Sequence, residues 1–462
     1  MSIIEIETGT RQGDPYGPEG SSPSAPLLVI GAGPKAVALA AKASVLRDLG
    51  VDVPEVVAVE RDRTAATWRP GAGYTNGRQR LGTYPEKDLG FPYDRTAWGG
   101  PDSPVARRVA RRMTGFSWAG HLLAEGRYAE WIDRGRPQPS HTQWADYLEW
   151  AAGEANLRVV RGEATRAELH DGGWEVTVTR DGVRQEIHGR GLVVSGQGAP
   201  RGGPLAADGE RVLSVADFWG LAMTGLPDRV RHVAVVGAGE TAGAVVREAA
   251  VHQDRRVTVV TPGATLYSRG ESLFENRGYS DPAGWTALDE ADRREFIRRT
   301  DRGVFSQEVQ RDLATTDLVA WRPGRAADAR RTADGDVAVS VGYSGRRTEL
   351  RADVVVDATG GDHLWFTGIL GPHALDALSA AVGGPITRPA LERSIDRALS
   401  VAGMAARLHL PNLAGLTQGP GFSNLSSLGL LSDRVLHAHA ASVPLPAGAA
   451  DAAPRHSSRC FR

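Results

Sequence analysis

The sequence predicts an α/β protein with two dinucleotide-binding, Rossmann-like domains, on three observations. Two glycine-rich turns leave apolar strands far apart in the chain, LLVIGAGPKA at Leu27 to Ala36 and VAVVGAGETA at Val233 to Ala242. An acidic residue, Glu60, ends the strand that follows the first turn. Two further apolar strands, GLVVSGQGAP from Gly191 and ADVVVDATGG from Ala352, also run into glycine turns. In each motif the first glycine (Gly31, Gly237) makes the bend and the second (Gly33, Gly239) lets the backbone approach a pyrophosphate; a helix N-terminus then faces the phosphates. Alanine (Ala36, Ala242) fills the third position, where helix and strand pack closely. One such fold holds one dinucleotide, so the pair points to a flavin in one domain and a nicotinamide cofactor in the other.

Residues 1–25, rich in Gly, Pro and Ser, and the Ala/Pro-rich 441–462 carry no periodic pattern and are expected to be flexible tails. Leu27 to Ile30 reads as a buried strand, Pro34 to Leu49 as a helix and Val56 to Val59 as the next strand. In that βαβ unit Glu60 is placed to accept hydrogen bonds from ribose hydroxyls. SHTQWADYLEWAAG, from Ser140 to Gly153, opens with Ser140 and Gln143 in capping-box register and sets Trp144, Tyr147, Leu148 and Ala151 on one face. Those aromatics read as core. The expected partition is a discontinuous first domain, 26–212 with 352–440, and a second domain, 213–351, carrying a small helical substrate-binding segment around 270–310.

The charge balance is even, 54 Lys+Arg against 55 Asp+Glu for a formal net charge of -1, so nothing draws the chain towards nucleic acid or an anionic membrane. Small metabolites are the expected partners. The start MSIIEIETGT has no basic segment followed by an apolar one, and no run reaches transmembrane length, so a cytoplasmic location is expected. The one cysteine, Cys460, excludes a disulfide framework, a cysteine metal cluster and the paired thiols of a disulfide reductase, and no metal is expected. Gly196 to Trp219 holds no histidine, as the Phe-x-Gly-x-x-x-His motif of Baeyer–Villiger enzymes would require.

GAGPKA, AVERD followed by Trp68, Lys87-Asp88-Leu89, YLEWAA, VVGAGETA and DATGG together resemble the flavin-dependent N-hydroxylating monooxygenases, which oxidise the side-chain amine of lysine or ornithine. Longer blocks, KASVLRDLGVDVPEVVAVE, LGTYPEKDLGFPY, EWIDRGRPQPSHTQWADYL and LTQGPGFSNLSSLGLLSDRVL, are similar to the lysine N6-hydroxylases of the mycobactin and nocobactin pathways. The resemblance covers most of residues 27 to 436. It implies FAD on Gly31, Gly33, Pro34 and Glu60, with Trp68 near the flavin and the segment from Ser426 to Leu431, Leu430 included, closing over it. It implies NADPH on Gly237, Gly239, Glu240 and Thr241. No arginine or lysine directly follows Val257 to Val260, which leaves Thr261, Ser268 and Arg269 as the nearest candidates for the 2'-phosphate.

For the substrate, the resemblance implies Lys87 and Asn276 at the carboxylate, with Ser426 among the contacts. Asp301 falls where relatives often carry another substrate-binding asparagine. Gly82 stands where ornithine enzymes carry a glutamine near the flavin. The implied reactants are O2 and L-lysine, free, acylated or carrier-bound, with siderophore assembly-line enzymes as partners and a homo-oligomer allowed. A C4a-hydroperoxyflavin, and no side chain, would deliver the oxygen. The alternatives are an ornithine N5-hydroxylase, another class B monooxygenase, or a flavin-binding redox sensor without turnover.

Overall fold

The computed structural model describes residues 25–440 except 96, 97, 99, 101, 102 and 197–204. The expected flexible tails, Ala25 aside, lie outside the described residues, as do Cys460 and the end of GLVVSGQGAP. Strand β1 (Leu27–Ile30) is wholly buried and crosses through helix Pro34–Asp48 to β2 (Val56–Glu60), parallel to it with Leu27 opposite Val56. A helical excursion ends in helix His141–Glu154, and the chain then forms β3 (Arg158–Arg161) beside β2. Antiparallel β4 (Glu163–His170), β5 (Gly173–Arg180) and β6 (Val183–Gly189) make a separate flap, after which β7 (Gly191–Val194) returns to the other side of β1.

The second unit opens with β8 (Val212–Ser214), β9 (His232–Val236) and β10 (Arg256–Thr261), then β11 (Val319–Pro323). A second antiparallel flap, β12 (Arg325–Arg331), β13 (Val337–Tyr343) and β14 (Arg346–Ala352), leads into β15 (Val354–Asp357); β16 (Arg407–His409) comes last. Two all-parallel five-stranded sheets result, ordered β16-β7-β1-β2-β3 and β11-β10-β9-β15-β8. Each is the doubly wound arrangement that the two glycine turns require.

One boundary moves. The sequence reading assigns 352–440 to the first domain, but β15, which carries ADVVVD, pairs with β9, Val356 lying opposite Val235. A four-residue strand buried on both faces fits the middle of either parallel sheet. One residue separates it from β14, so the chain has no length in which to cross over. The return to the first sheet is made by β16.

The helix His141–Glu154 has the expected capping box between Ser140 and Gln143. Trp144, Tyr147, Leu148 and Ala151 are fully buried, and they pack with Trp118 and Trp131 against Val37 and Ala38 of the first glycine helix. The same glycine helix is clamped to helix Leu428–His437 by a buried ion pair, Lys42 Nζ to Asp433 Oδ1 at 2.7 Å. Removing one member of such a pair costs about 3–5 kcal/mol, so this contact fixes the chain around Ser426 to Leu430 against the first sheet. The two units are tied by the loop at Asn76 to Arg80. Fully buried Glu248 accepts from Asn76 Nδ2 (2.8 Å), Gln79 Nε2 (3.1 Å) and Arg78 Nη2 (3.2 Å), and Arg80 pairs with Glu308 at 3.2 Å.

Among the described residues no helix is long and apolar enough to cross a membrane, and no group of His, Cys, Asp or Glu is arranged to hold a metal ion.

Candidate active site

Both glycine turns are built as open cradles. Gly31 (φ +94°) and Gly237 (φ +124°) hold left-handed backbone, and a Cβ on Gly237 would run into the Ala358 carbonyl. Gly33 and Gly239 are the N-caps of helices Pro34–Asp48 and Glu240–Arg247. Neither helix start is capped by a side chain, and a Cβ at either glycine would meet no atom within 4 Å. Free amides and empty space at a helix N-terminus fit a pyrophosphate. Glu60 Oε2 accepts from Ala32 N–H at 2.9 Å, so the acidic end of β2 is locked onto the first turn. The second turn opens into a cavity of about 1110 Å³, lined by Gly237, Gly239, Glu240 and Thr241 and, across it, by Asn412 and Ser423 of the first unit.

Lys87 is positioned by the turn after it. Asp88, buried at 2% exposure, accepts from Tyr93 Oη (2.6 Å), Trp118 N–H (2.9 Å) and Gly90 N–H (3.3 Å). Burial still pushes its carboxyl up to about 7, against the pull of those bonds. Asn276 sits on helix Leu273–Ser280, whose start is fixed by a capping box between Ser272 and Glu275. The two expected anchor residues meet: Lys87 Nζ donates to Asn276 Oδ1 at 2.6 Å, while Asn276 Nδ2 donates to the Glu271 carbonyl at 2.8 Å. Burial first, then the neighbouring Arg269, pushes the Lys87 ammonium down to about 8, with Glu271 pulling the other way.

Next to this pair lies a second polar group. Arg269 donates to the Gly82 carbonyl at 3.4 Å, stands 4.0 Å from the Asp301 carboxylate and lies over the Tyr279 ring. It is therefore held at the junction of the two units and does not line the cavity below Thr261, where a 2'-phosphate contact would belong. Asp301 accepts from Asn424 Nδ2 at 3.2 Å, and Asn424 Oδ1 accepts from Ser426 N–H at 2.8 Å. Ser426 thus reaches Asp301 through Asn424. Trp68 packs edge-on to His141 at 4.8 Å, and Leu430 lies in the core cluster that includes Ala32 and Ala36 of the first turn.

Sequence reasoning missed one contributor and one contact. Lys35, directly after Pro34, is buried; its Nζ donates to the Ser423 carbonyl at 3.4 Å, and burial lowers it to about 8 despite the attraction of Asp301. A charged residue in the first turn of an otherwise alanine-rich helix was the available signal. The contact is made by Glu240, expected only at the dinucleotide: its Oε2 accepts from Ser306 N–H at 3.1 Å, and a Cβ on Gly82 would stand 2.5 Å from its Oε1. A side chain at 82 would displace the Glu240 carboxylate from this place.

The family of L-lysine 6-monooxygenases and L-ornithine 5-monooxygenases matches residues 110–363, more than half of the chain. The chain belongs to that family. The L-lysine N6-monooxygenase MbtG of Mycobacterium sp. (strain MCS) is 45% identical over 422 residues, which are 90% of this chain and 95% of that protein. MbtG of Mycobacterium tuberculosis (strain H37Rv) is 45% identical over 419 residues, 89% of this chain and 94% of the relative. Among solved structures, the lysine monooxygenase NbtG from Nocardia farcinica superposes with a TM-score of 0.79 at 45% identity, covering 89% of this monooxygenase and all of NbtG. The ornithine N-hydroxylase of Kutzneria sp. 744, at 21% identity and a TM-score of 0.70, covers 90% of this monooxygenase and 99% of its own chain and bears on the fold alone.

Proposed function

We propose that this monooxygenase hydroxylates N6 of L-lysine with O2 for hydroxamate siderophore synthesis, with FAD in the first cradle and NADPH in the second. The observation that carries the reading is the Lys87–Asn276 pair, suited to an amino-acid carboxylate and formed between one residue of each unit. Two N–H groups of Lys87 and one of Asn276 remain to grip that carboxylate, and charge-assisted bonds of this kind are short and strong. Bound and reduced, the flavin supplies the activation of oxygen, which leaves the chain to bind, orient and exclude water.

The amine needs different treatment from the carboxylate. A lysine ammonium in water holds its proton up to about pH 10.4, and only the neutral amine has an electron pair to give. Burial acts on the chain's own lysines in the same sense, bringing both Lys35 and Lys87 down to about 8. A substrate amine stripped of water is biased in the same direction, towards its neutral form. Asp301, held by Asn424, offers a carboxylate to the substrate's α-ammonium.

Length favours lysine over ornithine. With the carboxylate fixed, the ornithine amine stops one methylene short, and reaction needs placement within about 3.5 Å. The methylene alone gives about tenfold to two-hundredfold discrimination, so misplaced ornithine still drives NADPH oxidation without product. We place the enzyme in the cytoplasm beside the assembly line that consumes the hydroxylamine. Mass spectrometry of hydroxylated product per NADPH oxidised, with lysine, ornithine and an N-acyl-lysine, tests the reading. Lysine should give the highest yield. Equal yield from ornithine defeats the lysine assignment, and product from the acylated substrate alone would move hydroxylation to a later step.

A further inference from the structure

NADPH differs from NADH by one phosphate on the 2'-oxygen of the adenosine ribose. In a doubly wound sheet that ribose lies at the C-terminal end of the strand after the glycine-turn helix. Here that strand is β10, and it ends in Thr261-Pro262-Gly263 with no cation following. The cation has to come from elsewhere.

The neighbouring strand supplies it. β11 runs parallel to β10 with Pro323 opposite Thr261, and Gly324 N–H donates to the Thr261 carbonyl at 2.8 Å. Arg325 is the next residue, fixed at the same sheet edge, and it lines the 1110 Å³ cavity together with Thr261 and the second glycine turn. Four other arginines line that cavity, and each is engaged. Arg298 pairs with Glu295 at 2.6 Å, Arg302 with Asp301 at 3.6 Å and Arg388 with Glu392 at 2.7 Å, while Arg299 donates to the Ser268 carbonyl at 3.2 Å. Arg325 is exposed, and its guanidinium has no hydrogen-bond or carboxylate partner among the described residues.

We propose that Arg325 recognises the 2'-phosphate and sets the preference for NADPH over NADH. The inference rests on the reading that the second cradle holds a nicotinamide dinucleotide. A guanidinium offers a planar fork that matches two phosphate oxygens, and a lysine at the same place keeps the charge but not the fork.

Calorimetric binding of 2',5'-ADP and of ADP to the flavin-loaded enzyme reads this contact without turnover. Arg325→Ala should weaken 2',5'-ADP by about tenfold to hundredfold, the range for a hydrogen bond between charged groups, and leave ADP unchanged. Arg325→Lys should recover part of the loss. Anaerobic flavin reduction should show the same fall in NADPH efficiency relative to NADH. Unchanged 2',5'-ADP affinity in Arg325→Ala overturns the proposal, and intact ADP binding shows that the variant is folded. A wild-type enzyme that binds neither nucleotide removes the dinucleotide reading and the proposal with it.

Discussion

The two glycine cradles are near copies in backbone and differ at the strand end beside each. Both begin a helix at an uncapped glycine with open space around it. β2 ends in Glu60, whose carboxylate accepts from Ala32 N–H and Asp62 N–H, both at 2.9 Å. β10 ends in Thr261, whose hydroxyl accepts from Gly263 N–H at 3.2 Å. A carboxylate there accepts ribose hydroxyls and repels a phosphate, and a hydroxyl next to an arginine does the opposite. On the proposed reading the backbone of each cradle holds a pyrophosphate, and the strand end beside it sets whether a 2'-phosphate is accepted.

The proposed substrate anchor, Lys87 with Asn276, joins the two units, and its loss should have the largest effect. Lys87→Ala leaves a substrate carboxylate without its cation, so KM for lysine should rise by about a hundredfold with flavin reduction by NADPH intact. An unchanged KM would return Lys87 to the role of a loop lysine. Thr261→Asp gives the second cradle the strand end of the first. NADPH efficiency should fall about tenfold or more relative to NADH, as like charges meet at close range; equal loss for both cofactors would break the comparison. Glu60→Ala removes the acceptor from the first cradle and should weaken FAD by about tenfold, read as flavin retained after dialysis.

The smallest effect is one of pH. The Lys87 ammonium titrates at about 8, below its ordinary 10.5, so it is charged at neutral pH and loses its charge as pH rises through that value. Lysine binding, followed by flavin absorbance, should weaken a few-fold above about pH 8. Arg269 and Glu271 face the same ammonium, and both remain in Lys87→Arg, whose guanidinium stays charged to above about pH 12. A weakening of equal size in that variant would assign the titration to another group.

Much of this was legible in the chain. The glycine turns, Glu60 and the capping box at Ser140 are local patterns that the backbone obeys wherever they occur. The meeting of Lys87 with Asn276 was available from resemblance, though not from spacing. Contacts set by tertiary packing were not legible. β15 reads as a buried strand without saying which sheet it joins, and nothing near Gly82 announces that the Glu240 carboxylate comes to lie beside it. Arg325 is one arginine among many until β11 is laid beside β10.

The division of labour between the cradles is tested most directly by Gly33→Val and Gly239→Val, compared by flavin content and by anaerobic reduction with NADPH. Neither side chain would meet protein within 4 Å at its Cβ, so both variants should fold, and any loss reports on the space a pyrophosphate needs. Gly33→Val should purify without flavin. Gly239→Val should keep its flavin and fail to be reduced by NADPH. Full flavin in the first variant, or wild-type reduction in the second, would contradict the assignment of one dinucleotide to each cradle.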